Sequence, residues 1–382
     1  MKEPIRILHV LYGMDMGGTE TLLMNLYRNI DRSLIQFDFA VSAERECFFD
    51  KEILSNGGRI FQYPRYRGIN HHEYCMWWES FLREHKEYKI VHGHIGSTAS
   101  IYLSIAKAQN RFAIAHSHST DGVISLHQMV YKILSYRTRY IADYFFGCSE
   151  QALIDRYGQS VSSNRRVSRV LRNGIDAQKY EFDEAVRNEI RREYGVSKTE
   201  DLILGTVGRL TKQKNPHQVI RICSELHKRG MQFSFWWFGA GEMKEEIERL
   251  LEKEGLTNIV RLMGTRQDIN KVLQGMDAFI FPSQWEGLGI ACIEAQAAGL
   301  PTLCSEKVPR EAGITTLCEF LPPRNTNAWC NHIISIKERV QSDNYIRPRE
   351  YSNIKENGYD IASVADELME FYYEAESSVR DE

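Results

Sequence analysis

Two glutamates frame a loop whose sequence is suited to binding an anion. The apolar run 278–281 predicts a buried strand, and residues 288–298 favour a helix that begins beside the glycines of the loop. Unpaired backbone N–H groups at such a helix start attract anions. Glu286 before the helix and Glu294 within it are then placed to bind hydroxyl groups of a sugar and a ribose. The alternative is a solvated loop charge at Glu286 and an ordinary helix residue at Glu294.

A second loop carries positive charge. Arg209 and Lys214 follow the predicted strand 202–207, and loops at the carboxyl ends of parallel strands face the ligand in such sheets. The two cations together suit a diphosphate, although a solvated basic loop is the alternative. The chain contains no Asp-x-Asp sequence, the commonest means of holding a metal against a nucleotide diphosphate. We therefore expect cations and helix N-termini to balance the phosphate charge, with no metal and no other cofactor.

Four histidines follow two apolar strands of the first half of the chain, as His92, His94, His116 and His118. Four imidazoles that converge at one sheet edge would suit a metal. Taking the two side chains of each pair to point alternately, we expect only one histidine of a pair to face the ligand. No paired acidic or thiol ligands lie nearby in the sequence, so a substrate-binding or acid–base role for one histidine is favoured over zinc.

A glycine pair, Gly17 and Gly18, separates the predicted strand 5–11 from the predicted helix 19–27. A second anion-facing loop is one interpretation of this order. A tight turn that needs glycine for steric reasons is the other. The segment lacks the Gly-x-Gly-x-x-Gly spacing of a dinucleotide site, and neither a Gly-x-x-x-x-Gly-Lys-Ser/Thr loop nor a Gly-x-Ser-x-Gly elbow occurs in the chain.

The composition argues against several classes of protein. A net charge of −3 gives no case for nucleic acid as a partner. No apolar run reaches the ~20 residues of a membrane span, and no signal-peptide pattern precedes the first strand. The eight cysteines include no Cys-x-x-Cys pair, which is typical of reduced, buried thiols. We expect a cytoplasmic protein, with any membrane contact peripheral.

Apolar strands and helices alternate through both halves of the chain, which predicts an α/β protein of two doubly wound domains with a cleft between them. We expect the first domain at residues 1–176 and the second at 177–360, with a helix at 361–382 that crosses back to the first domain. The polar stretch 177–201 is interpreted as the domain junction, and a helix is expected at 126–141.

Several motifs together resemble the family 4 glycosyltransferases, which are retaining, metal-independent enzymes of the GT-B fold with two Rossmann-like domains. The most specific motif is the glutamate pair with seven intervening residues, followed by Ala-x-Ala-x-Gly-x-Pro. The resemblance runs over nearly the whole chain and is greatest to the branch found in bacterial exopolysaccharide and capsule gene clusters. The motifs that carry it are Gly17-Gly18-Thr19-Glu20, Asn173-Gly174-Ile175-Asp176, Val207-Gly208-Arg209-Leu210, Lys214-Asn215, Gly239-Ala240-Gly241, Pro282-Ser283, Glu286…Glu294 and Val308-Pro309-x-Glu311.

The resemblance implies roles for individual residues. Arg209 and Lys214 would hold the diphosphate of the donor, Glu294 the ribose and Glu286 the transferred sugar. His116 matches a histidine that faces the reacting sugar, and His118 is its near competitor. The remaining donor-binding positions would be Gly17, Gly18, Gly239, Thr265, Arg266, Leu288, Gly289 and Ile290, of which residues 264–266 would line the base.

The resemblance implies transfer of a sugar from a nucleotide-diphosphate sugar, with UDP as the expected nucleotide, to a glycan or lipid-linked acceptor. A nucleotide-sugar epimerase or hydrolase and a non-catalytic sugar-nucleotide binding module are the alternatives. Basic residues alternate with aromatic residues at 63–67 and 131–140. They would suit contact with anionic lipid at the inner face of the cell membrane, although packed or solvated helix faces explain them equally well.

Overall fold

The structure is a computed structural model, and the residues that it describes are 3–118, 135–196, 202–342 and 344–379. The chain forms two compact units, one of residues 1–175 and 358–382 and the other of residues 176–357. Among the described residues, no helix is both long and apolar enough to cross a membrane.

The first unit is built on a parallel sheet of seven strands in the order β3-β2-β1-β4-β5-β6-β7. The strands are β1 (Ile5–Leu11), β2 (Ile35–Val41), β3 (Ile60–Gln62), β4 (Ile90–Gly93), β5 (Phe112–Ser117), β6 (Tyr144–Gly147) and β7 (Ser168–Val170). The helices are α1 (Gly18–Asn29), α2 (Asp50–Ser55), α3 (His71–Glu84), α4 (Ala99–Ala108), α5 (Glu150–Tyr157), α6 (Gln159–Ser162) and the C-terminal α14 (Ile361–Ser378).

Helix α14 belongs to the core of the first unit. Its Leu368 and Tyr372 are fully buried beside Phe37 of β2, and burial of each such side chain contributes roughly 1.5–3 kcal/mol. A β-bridge between Ile175 and Asp360, the residue before α14, connects this helix to the segment that follows the sheet. A Cβ atom at Gly174 would lie 2.8 Å from the Cα atom of Ile361. Glycine at this position therefore permits the close approach.

The second unit is built on a parallel sheet of six strands in the order β10-β9-β8-β11-β12-β13. The strands are β8 (Ile203–Val207), β9 (Ser234–Phe238), β10 (Val260–Gly264), β11 (Ala278–Phe281), β12 (Thr302–Ser305) and β13 (Cys318–Leu321). The helices are α7 (Glu184–Glu193), α8 (Pro216–Lys228), α9 (Lys244–Lys253), α10 (Ile269–Gln274), α11 (Ile290–Ala297), α12 (Thr326–Val340) and α13 (Tyr351–Glu356). The predicted α/β class with two Rossmann-like sheets is confirmed.

Within the polar stretch 177–201, interpreted above as a junction, the described residues 177–196 contain helix α7 and belong to the second unit. Ile190 of α7 is buried. Arg187 and Arg191 donate hydrogen bonds of 2.6 and 2.5 Å to the carboxylate of Asp277, which also accepts one of 2.7 Å from the backbone N–H of Ile203. The second unit begins at Asp176, one residue before the expected start of the second domain, and α7 lies inside it rather than in a linker.

The helix expected at 126–141 falls largely on residues 119–134, which lie outside the described part of the chain. A short 3-10 helix, Arg137–Tyr140, precedes β6.

Candidate active site

The loops that follow β8 and β9 approach each other through their backbones. A Cβ atom at Gly239 would lie 2.0 Å from the carbonyl oxygen of Gly208. The backbone N–H of Leu210 donates a hydrogen bond of 3.0 Å to the carbonyl oxygen of Ala240. Gly239 therefore shapes the loop that carries Arg209, whose side chain is exposed.

An ion pair joins the loop after β8 to the loop after β11. The Nζ atom of Lys214 lies 2.6 Å from the Oε1 atom of Glu286 and 4.6 Å from the ring centre of Phe281. The amide of Gln213 donates to the other carboxylate oxygen of Glu286 at 3.3 Å and to the carbonyl oxygen of Trp285 at 3.0 Å. The side chain of Glu286 is only 7% exposed. The structure thus brings together two of the residues singled out in the sequence and adds Gln213, for which no motif gave a signal.

Two further hydrogen bonds fix the same pair of loops. Asn215 takes a left-handed backbone conformation with φ of 54°, and its side-chain amide donates to the carbonyl oxygen of Pro282 at 3.1 Å. The backbone N–H of Gln284 donates to the carbonyl oxygen of Gln213 at 2.8 Å. Hydrogen bonds and an ion pair therefore join the two loops at the carboxyl ends of β8 and β11.

Helix α11 begins directly behind this loop pair. Gly289 precedes it with φ of 91°, and a Cβ atom there would lie 3.1 Å from the ring of Phe281 and 3.2 Å from Val308. Leu288 is buried, and Ile290 is the first helical residue. The first N–H groups of a helix have no partner within the helix. This end of α11 is therefore suited to an anion.

Glu294 of α11 accepts a hydrogen bond of 2.8 Å from the hydroxyl of Tyr180. Burial raises the pKa of the Glu294 carboxyl, and the hydrogen bond from Tyr180 acts in the opposite direction. Tyr180 ends a short 3-10 helix, Ala177–Tyr180. Sequence reasoning did not find Tyr180 because it stands outside every motif.

Arg266 lies after β10 and is already paired with acidic side chains. Its guanidinium donates two hydrogen bonds of 2.8 Å to Asp268 and one of 2.8 Å to the hydroxyl of Tyr194, and it forms a further ion pair with Glu193. These partners raise the pKa of Arg266. Its neighbour Thr265 is exposed. The guanidinium of Arg266 is therefore held by its acidic partners at the position expected to line the base.

In the first unit, Gly17 caps helix α1 and Gly18 is exposed. A Cβ atom at Gly17 would lie 2.2 Å from a carboxylate oxygen of Glu20. The Glu20 carboxylate therefore folds back over the start of its own helix, beside Gly17.

The expectation that the two histidines of each pair point to opposite sides was wrong. The rings of His92 and His94 lie 4.4 Å apart, and those of His116 and His118 lie 3.9 Å apart. Residues two apart along an extended strand share a face, because side chains alternate with a period of two. All four rings therefore converge, and His9 of β1 joins them through a contact of 3.0 Å between its Nδ1 atom and the Nε2 atom of His94.

These imidazoles are neutral. Burial lowers the pKa of His9 and of His118 to about 3, and it lowers the pKa of His116 well below its usual value. A neutral imidazole carries one N–H and one lone pair. The group thus offers both hydrogen-bond donors and free lone pairs.

The cysteines are free thiols, and six of the eight are buried. Cys292, Cys304 and Cys318 form a second compact group of possible metal ligands, with sulfur atoms within 4.8 Å of one another.

The expected basic and aromatic patch is only partly exposed. Tyr63 is buried, and its hydroxyl donates a hydrogen bond of 2.9 Å to the carbonyl oxygen of Leu11. Tyr63 is thus a core residue rather than part of a surface. Tyr136 and Tyr140 are 50% and 72% exposed, whereas residues 131–134 lie outside the described part of the chain.

The ion pair of Lys214 and Glu286 gives a prediction for stability. Lys214→Met leaves the buried carboxylate without its ammonium partner and should lower the free energy of unfolding by about 2 kcal/mol. Lys214→Met combined with Glu286→Gln should recover part of this loss. Urea unfolding followed by tryptophan fluorescence measures both. Lys212→Met, at an exposed lysine of the same loop, is the control, and an equal effect of Lys212→Met and Lys214→Met would contradict the prediction.

Comparisons with known proteins identify the family of this chain. The family model for glycosyl transferases group 1 matches residues 186–353. EpsF of Bacillus subtilis (strain 168), which is named as a glycosyltransferase, is 32% identical over 336 residues, or 86% of each chain. An Escherichia coli protein named UDP-Gal:alpha-D-GlcNAc-diphosphoundecaprenol alpha-1,3-galactosyltransferase is 30% identical over 140 residues, or 36% of each chain.

Similarity to solved structures supports the fold. Anabaena Alr3699/HepE in complex with UDP-glucose superposes with a TM-score of 0.77 at 17% identity, covering 97% of this chain and 99% of that one. The predicted GT-B fold class is confirmed. The length and identity of the match to EpsF show that the chain belongs to the group 1 glycosyl transferases.

Proposed function

We propose that this protein is a retaining glycosyltransferase that moves a sugar from a UDP-sugar to a glycan or lipid-linked acceptor in surface-polysaccharide synthesis. The observation that carries the proposal is the joined loop pair of the second unit, in which the Lys214–Glu286 ion pair stands beside the start of α11. The UDP-glucose bound to HepE and the UDP-Gal and diphosphoundecaprenol in the name of the Escherichia coli relative support the choice of donor and acceptor.

The donor diphosphate would be held by charge and by backbone N–H groups. Arg209 is exposed at the end of β8, and a guanidinium binds phosphate oxygens in a fork. Lys214 would add a point charge, and the N-terminus of α11 around Gly289 would add N–H donors. No metal ion is needed at the diphosphate in this arrangement.

Binding of the donor would rearrange the ion pair. The ammonium of Lys214 is paired with Glu286 before the donor arrives, so a phosphate oxygen would have to share it. The carboxylate of Glu286 would then also accept hydrogen bonds from hydroxyl groups of the transferred sugar. The position of Glu286 is set in advance by Gln213 and Lys214.

The ribose would be bound by Glu294. A carboxylate accepts hydrogen bonds from both ribose hydroxyls, and the hydrogen bond from Tyr180 fixes its orientation. That hydrogen bond also opposes the rise in the pKa of Glu294 caused by burial. Tyr180 is therefore a positioning residue for Glu294.

The reaction would proceed on one face of the sugar. The acceptor oxygen forms its bond to the anomeric carbon on the side from which the diphosphate leaves, the bond from that carbon to the phosphate oxygen breaks, and the departing phosphate oxygen takes the acceptor proton. The configuration is retained. Catalysis then consists of positioning and of stabilising charge on the leaving diphosphate. On the acceptor side, His116 or His118 would meet the sugar, and Gly17 and Gly18 would close over the phosphates.

The first test removes the donor contacts one at a time. Arg209→Ala, Lys214→Ala and Glu294→Ala should each lower kcat/KM with a UDP-sugar roughly 100-fold and weaken binding of UDP in calorimetry. Lys212→Ala, at an exposed position of the same loop, should change neither. Unchanged rates in all three variants would show that these residues do not bind the donor. Hydrolysis or epimerisation of the donor in place of transfer would favour the alternative enzymes.

The second test concerns the metal. Transfer should continue at an unchanged rate after treatment with a chelator, because cations of the protein balance the diphosphate charge. Loss of transfer that Mg²⁺ or Mn²⁺ restores would contradict metal-free donor binding, since these ions prefer phosphate and carboxylate oxygens.

The third test concerns contact with a membrane at its inner face. The exposed rings of Tyr136 and Tyr140 stand beside Arg137 and Arg139, a combination that suits an anionic lipid surface. The protein should sediment with anionic vesicles several-fold more than with neutral ones. The double variant Arg137→Gln and Arg139→Gln should lose that preference, and equal sedimentation with both vesicle types would argue against the contact.

A further inference from the structure

Five imidazoles of the first unit meet near the carboxyl ends of β1, β4 and β5. One ring nitrogen from each of His94, His116 and His118 lies within 4.8 Å of the others. The closest pair is the Nδ1 atom of His94 and the Nε2 atom of His118, 2.8 Å apart. A tetrahedral zinc ion with bonds of about 2.0–2.1 Å holds its ligand nitrogens about 3.3 Å apart. Small side-chain movements would convert the three rings into such a site.

Two of these three rings are held by outer hydrogen-bond partners. The Nε2 atom of His94 lies 3.0 Å from the Nδ1 atom of His9. The Nδ1 atom of His116 lies 3.2 Å from the Nε2 atom of His92, whose other nitrogen is bonded at 2.7 Å to the hydroxyl of Tyr372. A histidine that binds a metal usually has its second nitrogen held in this way, which fixes the tautomer and directs the first nitrogen.

The group also contains nitrogen atoms without partners. The Nε2 atom of His116 and the Nδ1 atom of His118 are buried and accept or donate no hydrogen bond within the described residues. A buried polar atom without a hydrogen-bond partner destabilises the folded chain. No carboxylate of the described residues is hydrogen-bonded to these rings. A metal cation on the lone pair of His116 would offset one of these costs.

We propose that His94, His116 and His118 bind one divalent transition-metal ion of the zinc class. Imidazole is a preferred ligand of such ions, and three histidines leave a fourth position open. His94 and His118 are partly exposed, which gives the ion a path of entry. The proposed transfer reaction does not require this ion, although the two proposals share the rings of His116 and His118. The resemblance assigns one ring of the same pair to the sugar, so ion binding is measured with no donor present.

The test uses the full chain without a histidine tag, stripped of metal by a chelator that is then removed by dialysis. Calorimetric titration with Zn²⁺ should show one ion per chain. His94→Gln and His118→Gln should each weaken binding by more than the roughly 10–100-fold that loss of an outer partner causes. His9→Phe removes the outer partner of His94, and it should weaken Zn²⁺ binding by roughly 10–100-fold. His72→Gln, at an exposed histidine of α3, should bind as the unchanged chain does, and circular dichroism checks that each variant is folded.

Three outcomes would overturn the proposal. The first is a dissociation constant for Zn²⁺ weaker than about 1 mM. Another is binding that survives both His94→Gln and His118→Gln. The third is binding that disappears in Cys318→Ser, which would place the ion at the group of Cys292, Cys304 and Cys318. Titration with Co²⁺ separates the two groups independently, because thiolate ligands give a sulfur-to-metal charge-transfer band and imidazoles do not.

Discussion

The ion pair of Lys214 and Glu286 is the interaction on which the joined loops after β8 and β11 depend. It draws the loop after β8 onto the loop after β11 and places an ammonium and a carboxylate, both largely withdrawn from water, at one end of the sheet. The lysine side chain passes directly over Gly208, where a Cβ atom would lie 2.9 Å from the Cε atom of Lys214. A negative group can stand beside an anion site because its charge is already balanced. The site is thereby arranged before any ligand arrives.

Much of the fold could be predicted from the sequence because its strands are apolar runs and its helices carry regular apolar faces. Helix α7 could not, since most of its side chains are polar and it is stabilised by the carboxylate of Asp277. Tyr180 was missed for a similar reason, because its partner Glu294 lies 114 residues away. A local pattern contains no signal for a contact of that kind.

The histidines show a different limit of sequence reasoning. Their residue types were noticed, but the sides on which they lie were predicted wrongly from an incorrect use of strand alternation. His9 was not noticed, because nothing near it in the chain distinguishes it from a core residue of β1. It joins the others only because β1 lies next to β4 and β4 next to β5. That strand order follows from the packing of the whole unit, and short motifs do not contain it.

The carboxylate of Asp277 sets a limit on how this chain can be divided. It binds two arginines of α7 as well as the backbone N–H of Ile203 at the first strand of the second sheet. A fragment that began at β8 would keep the acid and lose both cations, and a buried carboxylate without compensation is strongly unfavourable. The second unit therefore has to include helix α7, which lies before its sheet in a segment whose composition suggests a linker.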